Sequence, residues 1–261
     1  MKMQSAQVLE HREMSGGYRC LDLNVPDIVD CVLPGQFVHL RIPGTEGLVL
    51  RRPFSVFKAE NGRLSILYKA VGRGTRVMMH LAPGSEVSLL GPLGNGFPLD
   101  VGDALPVLVA GGYGVAPLYF LATRLGVEGC LFVGGASRDD IFCVADFEAL
   151  GWRSVVSTED GSLGTPGLVT APLDAWLREL EPGVSPVFYA CGPDGMLRAV
   201  GDRARAGGWT AWLSLDKHMG CGVGACLACV QKVRDADGTV RWARVCKDGP
   251  VFEAGTIVWD A

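Results

Sequence analysis

Leu105-Pro106-Val107-Leu108-Val109-Ala110-Gly111-Gly112-Tyr113-Gly114-Val115-Ala116-Pro117 runs from an apolar strand through a glycine turn into a helix. The unbroken apolar run Leu105 to Ala110 predicts a strand covered on both faces, as in a parallel sheet. An amphipathic helix follows through Arg124. Glycines at 111, 112 and 114 permit a tight turn, and Ala116 and Pro117 open the helix. A helix start offers free N–H groups and a positive dipole end to a diphosphate. The turn is not G-x-G-x-x-G, and alone it serves equally well as a packing device.

Downstream, the same alternation repeats. Strands are expected at 129–134, 153–157 and 186–191, and helices at 139–150, 168–180 and 193–206. Strands alternating with helices imply βαβ units and a parallel sheet. Thr210 to Leu215 is expected to close that sheet. Cys191-Gly192-Pro193-Asp194-Gly195-Met196 repeats the design of a strand ending in a glycine turn. Two such turns at the carboxyl ends of parallel strands make the crevice where open α/β sheets bind nucleotides. Cys191 either touches a nicotinamide ring there or is a core cysteine that ends a strand. Thr158-Glu159-Asp160-Gly161-Ser162 is either a solvated acidic turn or a ribose site favouring NAD over NADP. Arg138 argues weakly for the phosphate.

Upstream, residues 1–100 read as short strands broken by Gly and Pro: 18–25, 36–42, 63–71 and 86–90. A brief helix is expected near 75–80 and a Gly/Pro-rich turn at 91–98. That pattern predicts a small antiparallel barrel. Two segments in it carry chemistry. Arg52-Pro53-Phe54-Ser55 offers a guanidinium for a diphosphate and a hydroxyl for a flavin edge, although four residues alone say little. Tyr68-Lys69-Ala70-Val71-Gly72-Arg73-Gly74-Thr75 ends a strand and starts a helix, so Gly74 and Thr75 present N–H groups to an anion.

Beyond the sheet lies C-x4-C-x2-C: Cys221, Cys226 and Cys229, with Cys246 after sixteen intervening residues. This is the plant-type spacing of a [2Fe–2S] cluster held by four thiolates. Gly220, Gly222 and Gly224 let the backbone wrap a bulky inorganic core and bring N–H groups to sulfur. A structural zinc site is the alternative, but zinc knuckles usually stand in two separated pairs. Spacing decides for iron and sulfur.

Bulk properties bound the rest. The chain of 261 residues is 48% hydrophobic and 20% charged, with a formal charge of −4. That composition fits about two folded domains and gives no reason to expect nucleic acid or an anionic membrane as partner. The polar segment 1–10 is not a signal sequence, and no run of about 18 apolar residues spans a bilayer. Nine cysteines without a secretory signal fit a reducing cytoplasm. Cys20, Cys31, Cys130 and Cys143 are expected as buried small hydrophobes. The four histidines form no metal or triad spacing, and His218 is expected at the surface.

In the order R-P-F-S, Y-x-x-x-G-x-G-T, G-G-x-G-x-A-P, T-x-D-G-S, C-G-P and the cysteine loop, the chain resembles the ferredoxin–NADP reductase superfamily. Within it, the chain is most similar to the electron-transfer subunits of type B, NAD-dependent dihydroorotate dehydrogenase, from about residue 4 onward. The resemblance implies an α/β plus β architecture: an FAD-binding antiparallel barrel (1–100), an NAD-binding parallel-sheet domain (101–215) and a [2Fe–2S] extension (216–261). It implies that Arg52, Pro53, Phe54 and Ser55 hold FAD, that Leu67, Tyr68 and Lys69 line it, and that Gly74 and Thr75 meet its diphosphate. NAD falls to Gly111, Gly112, Gly114, Ala116, Pro117, Cys191, Gly192 and Pro193, and the cluster to Cys221, Cys226, Cys229 and Cys246. Where the family often has a glutamate, this chain has Asp216.

With no general base for dihydroorotate evident in the sequence, the resemblance implies a separate FMN-containing catalytic subunit, two copies of each chain, with electrons passing on to NAD+. Alternatives are the homologous FAD/[2Fe–2S] subunit of an NADH-dependent ferredoxin:NADP oxidoreductase or of a cytoplasmic hydrogenase, and a zinc-stabilised module without chemistry.

Overall fold

Polar–apolar alternation in the first part of the chain resolves into β1 (Lys2–Glu13), β2 (Tyr18–Asn24), β3 (Phe37–Arg41), β4 (Arg52–Ser55), β5 (Lys58–Glu60) and β6 (Arg63–Lys69). Helix α1 (Arg73–Met78) and β7 (Glu86–Leu93) complete this half. The computed structural model describes residues 1–44 and 47–259. The seven strands form one antiparallel sheet in the order β4-β3-β7-β1-β2-β6-β5. It curves around Leu21, Leu23, Val38, Leu40, Leu64 and Ile66, all fully buried. Burying each such side chain is worth roughly 1.5–3 kcal/mol.

The second half contains β8 (Leu105–Gly111), α2 (Val115–Leu125), β9 (Cys130–Gly135), α3 (Val144–Ala149), β10 (Arg153–Thr158) and β11 (Thr165–Pro166). It continues through α4 (Thr170–Arg178), β12 (Pro186–Cys191), α5 (Asp194–Gly207) and β13 (Ala211–Ser214). The tail adds the antiparallel hairpin β14 (Val230–Arg234) and β15 (Val240–Arg244), then α6 (Val245–Asp248) and β16 (Val251–Glu253). The sheet order is β11-β10-β9-β8-β12-β13-β16, parallel except for the last pair. From β8 the chain steps outward one way through β9 and β10, then crosses to β12 and proceeds the other way. The topological switch point therefore lies between β8 and β12. Among the described residues no helix is long and apolar enough to cross a membrane.

Five expectations change. The segment 1–10, read only as polar, is most of β1, hydrogen-bonded between β7 and β2. The turn expected from Gly91 begins later, because β7 runs on to Leu93. The helix expected over 139–150 is a single turn at Arg138–Asp140 followed by the short α3, with Cys143 between them in the left-handed region (φ 61°). Thr210 to Leu215 does not close the sheet: β13 pairs on its outer side with β16. Cys20 and Cys130 are buried as expected, whereas Cys143 is partly exposed and Cys31 is exposed.

The halves share their cores. Tyr18, Cys20, Phe57 and Leu67 of the first pack with Leu108, Ala110 and α2 of the second. Phe37 and Leu93 instead join a core containing Leu213, Val245 and Cys246. A polar tie adds to the first contact: Asp140 Oδ1 accepts from Tyr18 Oη at 3.0 Å and from Lys69 Nζ at 3.1 Å. Burial works against the Asp140 charge, but the bonds from Lys69 and Tyr18 outweigh it and hold the carboxyl below its usual range. A carboxylate lowered on folding stabilises above its unfolded pKa, and the gain is lost as pH falls through the folded value. Asp140→Asn is thus expected to cost about 1 kcal/mol at pH 7, discounting for the partly exposed lysine. In denaturant titrations the gap to wild type should narrow from pH 5 downward.

Candidate functional site: a nucleotide crevice beside a cysteine loop

At the switch point the two glycine turns touch. A Cβ on Gly114 would lie 2.0 Å from the Cys191 carbonyl oxygen, and one on Gly111 would lie 2.8 Å from Pro193 Cδ. Gly192 (φ 157°) meets Gly111 Cα at 3.0 Å by the same measure. Only residues without side chains let β8 and β12 deliver their turns this closely. Ala116 and Pro117 are in the first turn of α2, whose free N–H groups face the end of β8. Cys191 is buried, and desolvation pushes its thiol up to about 12, against a hydrogen bond with Ser214. It stays protonated at neutral pH.

The barrel motifs divide between two faces. Cross-strand pairing sets Arg52 opposite Leu40, Pro53 opposite His39, Phe54 opposite Val38 and Ser55 opposite Phe37. Since opposite residues leave a sheet on the same side, Arg52 and Phe54 share one face and Pro53 and Ser55 the other. Arg52 reaches the start of α1: a Cβ on Gly74 would lie 2.9 Å from its Nε. There the Thr75 hydroxyl accepts from the Gly72 N–H at 3.0 Å, and the first-turn N–H groups stand beside a guanidinium. That combination suits a diphosphate. Leu67 packs toward α2, and Lys69 is held by Asp140. Tyr68 turns the opposite way, into the barrel, 2.9 Å from His11 Nε2. Only its backbone lies with its neighbours.

In the cysteine loop, Cys221 Sγ accepts N–H groups from Val223 (3.5 Å), Ala225 (3.2 Å) and Cys226 (3.4 Å). Left-handed Gly222 (φ 73°) and Gly224 (φ 82°) turn those amides inward. Cys226 Sγ accepts from Cys221 N–H, and Cys229 Sγ from Cys246 N–H, each at 3.4 Å. The thiols thus stand as an outer pair, 221 and 226, and a buried inner pair, 229 and 246. Two pairs suit a two-iron centre, each iron taking two thiolates.

Burial opposes ionisation of Cys221, yet the amides of Val223, Cys226 and Ala225 bring it down to about 6. Burial, then Cys229, pushes Cys246 up to about 12, so that thiol gives up its proton to a bound cation. Arg244 braces the loop, bonding the Gly224 carbonyl at 3.3 Å and both oxygens of Asp248 at 3.1 Å.

The acidic turn closes on itself. Asp160 Oδ1 accepts from the Ser162 amide at 2.9 Å and hydroxyl at 2.6 Å, while Arg138 Nη2 donates to the Ser162 carbonyl at 2.8 Å. It follows β10, at the carboxyl edge that carries the crevice.

Residues 216–258 match the iron–sulfur cluster binding domain of dihydroorotate dehydrogenase B. The chain is 42% identical over 232 residues, 86% of each chain, to the dihydroorotate dehydrogenase B (NAD(+)) electron transfer subunit of Geobacillus kaustophilus (strain HTA426). It is 34% identical over 264 residues, 99% of each chain, to the subunit of that name from Desulforamulus reducens. The chain belongs to this family of electron-transfer subunits. A solved structure described as the NADH-dependent reduced ferredoxin-NADP oxidoreductase of flavin-based electron bifurcation superposes with TM-score 0.83 at 28% identity, covering 97% of this chain and 90% of that one. The chain is thus an electron-transfer oxidoreductase subunit with a ferredoxin-reductase fold.

Three residues escape sequence reasoning. Asp140 and Tyr18 form the tie between halves although no motif includes either. Tyr113, read only as the variable residue of G-G-x-G, donates to Asp216 Oδ2 at 3.3 Å and so links the crevice to the cluster segment. The contact of the two turns yields a test. Gly114→Ala forces them apart and is expected to cost about 1–3 kcal/mol, with a marked fall in NADH-dependent reduction of ferricyanide. Thermal melting and steady-state rates would check it.

Proposed function

We propose that the chain carries electrons between NAD and the FMN-bearing catalytic subunit of a dihydroorotate dehydrogenase, in pyrimidine synthesis. One observation carries this reading: the R-P-F-S strand, the switch-point crevice and a loop of paired thiols meet in one structure, joined through shared cores and the Tyr113–Asp216 bond. When bound, FAD exchanges a hydride with NAD and single electrons with a [2Fe–2S] cluster.

In this reading the chain divides at 1–100, 101–215 and 216–261. Arg52, Gly74 and Thr75 hold the FAD diphosphate, while Pro53, Phe54 and Ser55 with the strand Leu67, Tyr68 and Lys69 orient the flavin. Gly111, Gly112, Gly114, Ala116, Pro117, Cys191, Gly192 and Pro193 form the floor for NAD. Carboxylates at Glu159 and Asp160, with Arg138 already engaged by Ser162, favour NAD over NADP. Cys221, Cys226, Cys229 and Cys246 ligate the cluster. Its outer pair lies near the surface beside Leu227, 62% exposed and in the left-handed region (φ 59°). An apolar tip beside a redox centre is where the catalytic partner docks. Two copies of each chain, in the cytoplasm, make the working assembly.

The second reading, a subunit of an NADH-dependent ferredoxin:NADP oxidoreductase, is favoured by the superposition at TM-score 0.83. The higher sequence identity, 34–42%, favours the first. Anaerobic co-purification with the FMN dehydrogenase of the same organism, assayed for dihydroorotate-dependent NAD+ reduction, separates them. The first reading expects activity that needs both chains and falls at least 100-fold in Cys226→Ser, an order-of-magnitude figure for losing a ligand and with it the relay. No complex, with NADH oxidation by this chain intact, would favour the second. Leu227→Asp is expected to weaken partner binding at least tenfold by surface plasmon resonance, the loss of about 1.4 kcal/mol, while leaving cluster absorbance unchanged.

A further inference from the structure

His39 lies in the middle of β3 with 0% of its surface exposed, and among the described residues neither ring nitrogen has a hydrogen-bond partner. Buried polar atoms are nearly always paired, so an orphaned imidazole marks a place where something else completes it. Desolvation, then the charge of Arg51, lowers its pKa to about 4. At neutral pH the ring is therefore uncharged, with one N–H to give and one lone pair to receive.

Its surroundings say what completes it. His39 leaves the sheet on the same face as Phe37, Pro53 and Ser55, and the Phe37 ring meets it edge-on at 5.6 Å. Against the ring lies Gly222, the residue after Cys221. A Cβ there would fall 2.5 Å from His39 Cε1, 2.7 Å from Nδ1 and 2.9 Å from Nε2. The imidazole thus stands on the sheet face that carries Pro53 and Ser55, with the cysteine loop laid against it. Residues on the other face of that strand face the barrel interior and cannot make this contact.

Building on the cluster reading above, we propose that His39 is a positioning residue whose ring N–H donates a hydrogen bond to a sulfur of the iron–sulfur centre. Such a bond stabilises the negative charge gained on reduction, so it raises the cluster potential. It also ties the loop to β3, the strand paired with R-P-F-S, fixing the separation across which single electrons pass.

The test uses the full chain, anaerobically reconstituted, with iron and sulfide analysis and an EPR-monitored redox titration. His39→Leu should keep its iron and sulfide. Its reduced-to-oxidised cluster ratio at a fixed potential should fall about tenfold, which is 59 mV for one electron. His39→Gln keeps a donor and should recover most of that loss, and the flavin couple should not move in either variant. In wild type labelled with 15N-histidine, pulsed EPR of the reduced cluster should show a histidine nitrogen coupling that His39→Gln lacks. A loaded His39→Leu with an unmoved cluster potential overturns the proposal, as does a shift confined to the flavin. Should His39→Leu assemble no cluster, the labelled wild type decides: coupling that disappears in His39→Gln upholds the proposal, and no coupling overturns it. Wild type without iron and sulfide overturns the cluster reading, and this proposal with it.

Discussion

Three antiparallel residue pairs between β13 and β16, Trp212 with Glu253, Leu213 with Phe252 and Ser214 with Val251, hold the cysteine loop to the rest of the molecule. The segment they anchor is too short to bury a core of its own. It borrows one: Cys229, Val245 and Cys246 pack with Leu213 from the sheet and with Phe37 and Leu93 from the barrel. Asn95 adds a bond from its amide to Gly249 O at 2.6 Å and one from Nδ2 to Asp248 O at 3.0 Å. The inner cysteine pair is therefore part of the protein core, while Cys226 lies at the surface with Ala225, Leu227 and Ala228.

This arrangement divides the electrostatic work. Electron transfer needs a site that accepts charge without large reorganisation, and fixed dipoles provide it better than mobile water. Around Cys221 three backbone amides are already aimed at sulfur, on a loop whose glycines hold them there. Around Cys246 the medium is apolar, and a bound cation is what draws off its proton. The same economy appears at the interface of the halves. Asp140 collects Tyr18 and Lys69 into one charge-assisted cluster rather than leaving the lysine loose at the seam between the halves.

Much of this was legible because each legible element carries its own local signal. The run Leu105 to Ala110 is apolar on both faces and ends in glycines, and the Pro186 to Cys191 strand repeats it, so the parallel sheet and its switch point follow. Cysteine spacing survives any fold. β1 was illegible because it buries only Ala6 and Val8, beside Gln4 on the same face, while Met3, Ser5 and Gln7 line the exposed one. The sheet holds it by backbone bonds that composition does not record. β16 is three residues long, and antiparallel closure by a returning tail is a long-range pairing without a local cue. His39 was illegible for a related reason. Its spacing to other ligand types says nothing, and its meaning comes from Gly222, 183 positions away in sequence.

Glycine does opposite jobs at the two ends of the proposed electron path, and the contrast explains why the sites can sit so close. At Gly114 and Gly192 its value is the absence of a side chain between two backbone turns, so that a flat cofactor meets main chain rather than methyl groups. At Gly222 the absence lets a loop lie against an imidazole, and the positive φ turns its neighbours' amides toward sulfur. An alanine at 114 meets a rigid carbonyl, and one at 222 meets both a ring and a strained positive φ. The carbonyl cannot yield without moving β12, a central strand of a seven-stranded sheet. The shape of the nucleotide crevice is thus set by backbone contacts, and the seat of the cysteine loop by a glycine packed on a buried ring. A relay that must hand over single electrons at fixed distance rests on that rigidity.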